Sequence, residues 1–526
     1  MRYTPLFSLF AIPLASCQKY TPQQIDLLIE NAQIYVSTTE ILDSIAITNG
    51  KIVAIEPGAQ ITETINLHGA VVVPGFHDSH THLLAGSFVF DKLLLVGVAS
   101  FGNIKNKLAD YVADAPDVPW VVGYGWIADS LENPDGRELD AVSGEYPVIL
   151  FDSAGHTILV NSKAMELANI DKNTPDPTGG TIARDENGDP TGLLQESAIE
   201  LISPLMVSQF TPAQLSANIP TTVADFHKGG VTSVSEILAV PGVNLSFPEL
   251  YTQYEDLQLR VHYYIPLFSV EDTETIETYL DDVHPWVRFA GAKIWVDGST
   301  GSGEAWSLEE SVIEEDHFGT HYFEEEDLVA FIRHAEEFHY TLKFHVNGDA
   351  AVQKTLNALE TVENELGALH QHYIFDHVVL IAPADYGRMY RLGITASIQP
   401  SHALVGQYSD QADHWGELTD SAWGFKKLED EGIPLVLGTD WPVWPTPNAI
   451  VNFWTATQNN GERNLSTPIA FQGYTSLGQQ LLGTNAGSLQ VGQWADFVVL
   501  SDAPFGGTPG SDITIEQTWV GGIRVY

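Results

Sequence analysis

A chain of 526 residues is longer than one ordinary domain. Its hydrophobic fraction of 44%, with 12 Trp, 19 Tyr and 23 Phe, provides for a large core and excludes global disorder. The formal net charge of −46, from 69 acidic against 23 basic residues, repels phosphate and anionic headgroups, so nucleic acid and a charged membrane surface are excluded as partners.

The only cysteine is Cys17, which excludes an intramolecular disulfide and a cysteine-based zinc site. It follows Arg2 and a short apolar run over residues 6–14, too short to span a bilayer and suited to a signal-peptide core. The run ends in Leu14-Ala15-Ser16-Cys17, which resembles the lipobox of bacterial lipoproteins. That resemblance implies a signal over residues 1–17, lipid on Cys17, and an exported protein of the periplasm or outer membrane, tethered by lipid alone. The alternative is an ordinary secretory signal cut nearby.

Residues 24–70 alternate and turn like small antiparallel strands, with Asn49-Gly50 as a hairpin signal. The far end reads the same way, through Ala495-Asp496-Phe497-Val498-Val499-Leu500 and the closing run from Thr518. We expect 24–70 and 485–526 to form one composite β-sandwich domain. Between them, strand-like and helical runs alternate, the pattern of βα units around a parallel sheet. Strands are predicted at 71–76, 147–151, 231–235, 288–295, 341–345, 373–377, 394–398 and 434–438. Eight in that order suit an α/β fold of the (β/α)8 TIM-barrel type over residues 71–484. The turn-rich segment from about 152 to 225 is expected as an insertion over the barrel mouth.

In such barrels the working residues stand at the C-terminal ends of the strands. His80 and His82 follow the first predicted strand, and two-residue alternation points them the same way. His77 has the opposite parity and is expected to face outward. Lys293 lies in the fourth strand; His345, His377 and Asp440 end later ones. Imidazole and carboxylate donors without thiolate suit catalytic zinc, iron or manganese. Taken singly, each has a structural reading: His345 and His377 as core histidines, Asp440 as a helix cap, Lys293 as a buried ion-pair partner.

The phrases Pro74 to Leu83, Val160-Asn161-Ser162-Lys163-Ala164, Gly291 to Gly301, His345 to Asp349, Gly438-Thr439-Asp440-Trp441-Pro442 and Ala495-Asp496-Phe497 together resemble the amidohydrolase superfamily, in the branch of the N-substituted formamide deformylases. The resemblance implies metal binding by His80, His82, His345 and His377, and Asp440 as a metal-contacting general base. It implies Lys293 as a bridging ligand if carboxylated. Asp440 and His377 are the candidate catalytic residues. The strand-six pair reads Asp376-His377 where many relatives have Glu-His, a departure that keeps the histidine. One or two divalent ions, zinc first among them, are expected to ionise water near neutral pH and to polarise a carbonyl.

His156 and His402 fall in predicted loops near the mouth and are candidates for substrate contact. Trp126, Trp295, Trp306, Trp441 and Trp444 lie near strand ends; of these Trp295 and Trp441 are the candidates for an apolar substrate site. The expected activity is hydrolysis of a C–N bond in a non-peptide, cyclic or N-substituted amide. The rivals are lactone, ester or cyclic-amide opening on the same fold, and a non-catalytic envelope lipoprotein that only binds. The partner is a small molecule, and assembly into a homo-oligomer is left open.

Overall fold

The structure, a computed structural model, describes residues 22–89, 92–114, 117–128, 131, 134–238, 258–280, 286–300, 303–313, 315–404, 409–505 and 512–526. The expected lipidation site, Cys17, lies outside the described residues. No described helix is long and apolar enough to cross a membrane.

At the centre stands an eight-stranded parallel barrel. Its strands are β1 (Phe76–Thr81), β2 (Val231–Ile237), β3 (Arg260–Pro266), β4 (Val287–Trp295), β5 (Thr341–Val346), β6 (Tyr373–His377), β7 (Thr395–Ile398) and β8 (Leu435–Leu437). Neighbours pair in sequence order from β1 to β8. Just beyond β8, Asp440 N donates to His80 O at 2.8 Å and His82 N to Trp441 O at 2.7 Å. These bonds close the ring between β8 and β1 and seat Asp440 against the two histidines.

Two predicted strands were assigned differently from what the structure shows, and one was missed. The run at 71–76 divides at Gly75: Val71–Pro74 joins a second sheet and the barrel begins at Phe76. The run at 147–151 is not a barrel strand; Val148–Asp152 sits inside a separate six-stranded sheet. An apolar run of this length looks alike in either sheet, so periodicity cannot choose. The missing barrel strand is β3, whose Arg260 and His262 interrupt its apolar run. All seven of its residues are nevertheless buried, because Arg260 reaches Asp496 at 2.8 and 3.2 Å.

The six-stranded sheet is the insertion. It runs from Leu93–Leu94 through Val121–Trp126, Val148–Asp152, Thr157–Val160 and Gly180–Arg184 to Pro190–Glu196, all between β1 and β2. It therefore begins well before residue 152. The other eight-stranded sheet draws on both ends of the chain: Gln24–Tyr35 pairs with Ile41–Thr48, Gln60–Asn66 and Val71–Pro74, and Val71–Pro74 pairs with Phe497–Leu500. The Arg260–Asp496 pair ties this sheet to the barrel, with the guanidinium held between the rings of Trp286 and Trp494 at 4.5 and 4.4 Å.

Candidate metal centre and active site

Four predicted residues converge at the C-terminal end of the barrel. Asp440 Oδ1 lies 3.4 Å from His80 Nε2 and 3.1 Å from His82 Nε2, and Asp440 Oδ2 lies 4.0 Å from His377 Nδ1. Donor atoms of His80, His377 and Asp440 all fall within 4.8 Å of one another. The rings of His80 and His82 stand 5.4 Å apart, as strand alternation requires, and those of His80 and His377 4.9 Å. His377 and Asp440 hold positive φ of 72° and 57°. Such strain costs of order 1–3 kcal/mol per residue and gathers at functional sites.

Two of the imidazoles have a hydrogen-bond acceptor at Nδ1, and a third faces a carboxylate there. His80 Nδ1 is 3.1 Å from Asp376 Oδ1, His82 Nδ1 is 3.0 Å from the carbonyl of Ile237, and His377 Nδ1 is 2.9 Å from Gln399 Oε1. Placing the proton on Nδ1 leaves the Nε2 lone pair for a cation, the arrangement by which outer groups orient metal-binding histidines. Burial lowers His80 to about 4, partly opposed by Asp376 and Asp440, and lowers His377 and His345 well below the usual histidine range. These rings are neutral at pH 7. Burial pushes Asp440 up, but His80, His82 and His377 together outweigh it and hold the carboxylate well below its ordinary value. Its Oδ1 is buried and accepts no hydrogen bond. Imidazole nitrogens facing an ionised, buried carboxylate oxygen suit a divalent metal.

The remaining predicted residues sit as follows. The His345 ring is 4.5 Å from that of His377, while its Nε2 accepts from Asn347 Nδ2 at 2.8 Å. Lys293 Nζ lies in a buried ion pair with Asp376; burial lowers it to about 8, against the pull of Asp376. His402 Nε2 comes within 3.8 Å of Asp440 Oδ2. His77 is buried, with its ring nitrogens 3.0 and 3.2 Å from the hydroxyls of Ser233 and Ser235.

A cavity of about 530 Å³ opens beside the centre. His82, Pro442, Tyr124 and Phe151 of the inserted sheet, Leu267 and Phe268 line it. Trp295 lines it too, stacked on Phe268 at 6.0 Å. Trp441 is not among its lining residues; that ring packs against Phe226 at 5.4 Å. His156 lines the cavity with its Nδ1 2.6 Å from Glu196 Oε2, and Tyr322 donates to the same oxygen at 2.6 Å.

Sequence reading missed Asp376, Lys343, Gln399 and Glu196 as parts of the site. Asp376 holds Lys293, pairs with Lys343 at 3.2 Å and faces His80. Its place beside His377 was the one available signal. Glu196 and Gln399 carry none, since only the fold brings them to His156 and His377.

The donors at the strand ends, the closed barrel and the apolar cavity define a hydrolase of the metal-assisted barrel class. A model of the Amidohydrolase family matches residues 63–526, and the chain belongs to that family. Among its relatives, a putative amidohydrolase of Bacillus subtilis is 30% identical, across 89% of this chain and 91% of its own. The N-substituted formamide deformylase of Arthrobacter pascens is 23% identical, across 96% and 99%. An uncharacterized metal-dependent hydrolase of Pyrococcus horikoshii has the same fold, with a TM-score of 0.73 and 22% identity across 92% of this chain and 99% of that one. The protein is thus a hydrolase acting on carbon–nitrogen bonds.

Proposed function

We propose that the protein hydrolyses N-substituted, non-peptide amides whose substituent is apolar, with zinc as its metal. The observation that carries this reading is the Asp440 carboxylate facing the Nε2 atoms of His80 and His82, with His377 beside it, where His82 lines a largely apolar cavity. The similarity to an N-substituted formamide deformylase supports the amide type. His80, His82, His377 and Asp440 would hold the metal, with His345 alongside. When bound, the metal supplies acidified water and polarisation of the carbonyl.

The chain's own residues do the rest. Asp440, ionised and buried, takes a proton from the attacking water and returns it to the nitrogen of the departing amine. The aromatic walls hold the substituent and keep bulk water out, which strengthens every charge interaction at the centre. Metal analysis of the purified protein and a panel of amides, esters and lactones test the reading. We expect about one or two zinc ions per chain and turnover of amides. Asp440→Asn keeps the shape and one oxygen, so kcat should fall about 10²–10⁴-fold with metal largely retained. Turnover confined to esters or lactones overturns the amide assignment.

A further inference from the structure

We propose that Glu200 and Ser203 are specificity residues, which take an alkylammonium group carried by the substrate's substituent, so that the preferred amide has an apolar body and a cationic tip. The inference rests on the amide reading above and deepens it by naming the kind of substituent.

One short segment supplies both side chains. Glu200 lies in the short 3-10 helix Ser197–Leu201, directly after the last strand of the inserted sheet, and Ser203 opens the helix Ser203–Val207. Ala198 and Ile202 of the same segment are fully buried, which pins it to the core. Glu200 and Ser203 both line the cavity that His82 lines. Ser203 is 2% exposed, and its Oγ finds no hydrogen-bond partner among the described residues. A buried hydroxyl left without a partner is costly, and native structures keep few of them. Glu200 is half-buried, and its carboxylate makes no hydrogen bond or ion pair among the described residues.

Glu196, the other carboxylate that lines the cavity, is engaged: its Oε2 is 2.6 Å from His156 Nδ1 and accepts from Tyr322 OH at 2.6 Å. Asp272, close enough to act on Glu200, accepts at Oδ2 from the backbone N–H groups of Phe268 and Ser269 at 2.9 and 2.8 Å. No lysine or arginine lines the cavity among the described residues. Glu200 therefore has no cation to answer it there, and burial, with Asp272 adding to it, pushes it up to about 7. A cation beside it would favour its charged form. An alkylammonium offers three N–H donors and no acceptor, which fits a carboxylate and a hydroxyl oxygen together. Its methylenes fit an apolar cavity. The rings of Phe268 and Trp295, stacked at 6.0 Å, also line the cavity, and aromatic faces attract positive charge. A substituent that ends in a carboxylate would meet like charge and no cation. The net charge of −46 acts in the same sense at longer range, drawing cations in and repelling anions.

The contact between Glu200 and the ammonium forms in the bound substrate and persists in the transition state. Its effect therefore falls on KM and on the choice between substrates, not on kcat. A hydrogen bond to a charged partner is worth about 10–100-fold in affinity, and a neutral one about 2–10-fold.

The test uses the zinc-loaded full chain at about pH 8, where Glu200 is chiefly ionised. The substrates are the mono-formamide of 1,4-bis(aminomethyl)benzene and the formamide of 4-ethylbenzylamine, which differ by an ammonium against a methyl group, and the formamide of 4-(aminomethyl)benzoic acid. KM for the ammonium amide should lie at least about tenfold below that of the ethyl amide, and the carboxylate amide should be the poorest of the three. Glu200→Gln keeps the shape and removes the charge. In it the kcat/KM ratio of the ammonium to the ethyl amide should fall about 10–100-fold through KM, and in Ser203→Ala about 2–10-fold. The proposal is overturned if the wild type favours the ethyl amide, if the ratio stays within about threefold in Glu200→Gln, or if its fall lies in kcat alone. An unchanged ratio in Ser203→Ala overturns the assignment of that serine. Calorimetric titration of 4-(aminomethyl)benzyl alcohol and 4-ethylbenzyl alcohol into the same wild-type protein reads the site without hydrolysis. The ammonium alcohol should bind at least about tenfold tighter, and affinities within about threefold overturn the proposal. That comparison decides by itself if Glu200→Gln fails to fold. It also decides if no formamide is cleaved, an outcome in which the amide reading fails and the ammonium site stands or falls on the titration.

Discussion

Replacing Asp376 by Asn keeps the side chain's shape and removes its charge. In the wild type that carboxylate lies against two ammonium groups, Lys293 and Lys343, and against His80 Nδ1. Neither lysine is more than 1% exposed. Removing one partner of a buried pair typically costs about 3–5 kcal/mol, because the other charge is left without compensation. The share of Lys293 is bounded: its folded-state pKa is about 8, one unit above pH 7, so further depression adds at most about 1.4 kcal/mol there. The larger share falls on Lys343, which burial already lowers and Asp376 partly restores. With an unfolding entropy of about 2.1 cal/mol/K per residue, some 500 residues melting together convert a loss of about 3–5 kcal/mol into a drop of about 3–5 °C. The sign with pH follows. A lysine pushed below its ordinary value is penalised while it is charged, so the deficit of Asp376→Asn is largest at low pH, and the Lys293 part fades as pH rises through about 8. Zinc affinity should fall about 10–100-fold as His80 loses the charged partner at its Nδ1. Thermal scans of the chelated protein between pH 6 and 9, with zinc titrations, measure both. A melting temperature within about 1 °C of wild type at pH 6, together with unchanged zinc affinity, would refute the reasoning.

Glu196→Gln should weaken the protein most below pH 6.5. The folded-state pKa of His156, about 9, lies above its unfolded value of 6.5, so the stability it contributes is complete below 6.5 and is lost as pH rises through 9. Urea unfolding of the chelated protein should therefore show a wild-type advantage of at most about 3.4 kcal/mol at pH 6 that disappears by about pH 10. Asp496→Ala should cost about 3–5 kcal/mol, because Arg260 stays buried between two indoles with no anion, and the same unfolding curves report it. Gly86→Ala places a methyl 2.1 Å from the Trp441 ring. Overpacking of this kind costs about 1–3 kcal/mol, and since Trp441 follows Asp440 directly, kcat should drop as well; wild-type kcat in this variant would show that the helix Leu83–Val89 can shift without moving Asp440.

The parts of the site that local chemistry dictates were legible in the sequence. His80 and His82 share a side of β1 because strand residues alternate, and His377 and Asp440 end apolar runs that could be strands of a parallel barrel. The barrel class followed from the repeat of such runs, although one run belonged to the inserted sheet and β3 hid behind Arg260 and His262. What stayed hidden depends on register between strands, which no local pattern encodes. Lys293 on β4 lies directly across from Lys343 on β5, and His345 across from Asp376 on β6. That register puts two ammonium groups side by side in a buried site, and Asp376 on the next strand is a carboxylate within reach of both. The same carboxylate faces His80. The two lysines thus favour a carboxylate beside His377 in β6: a side chain without a negative charge there would remove the nearest counter-charge of both cations and of His80.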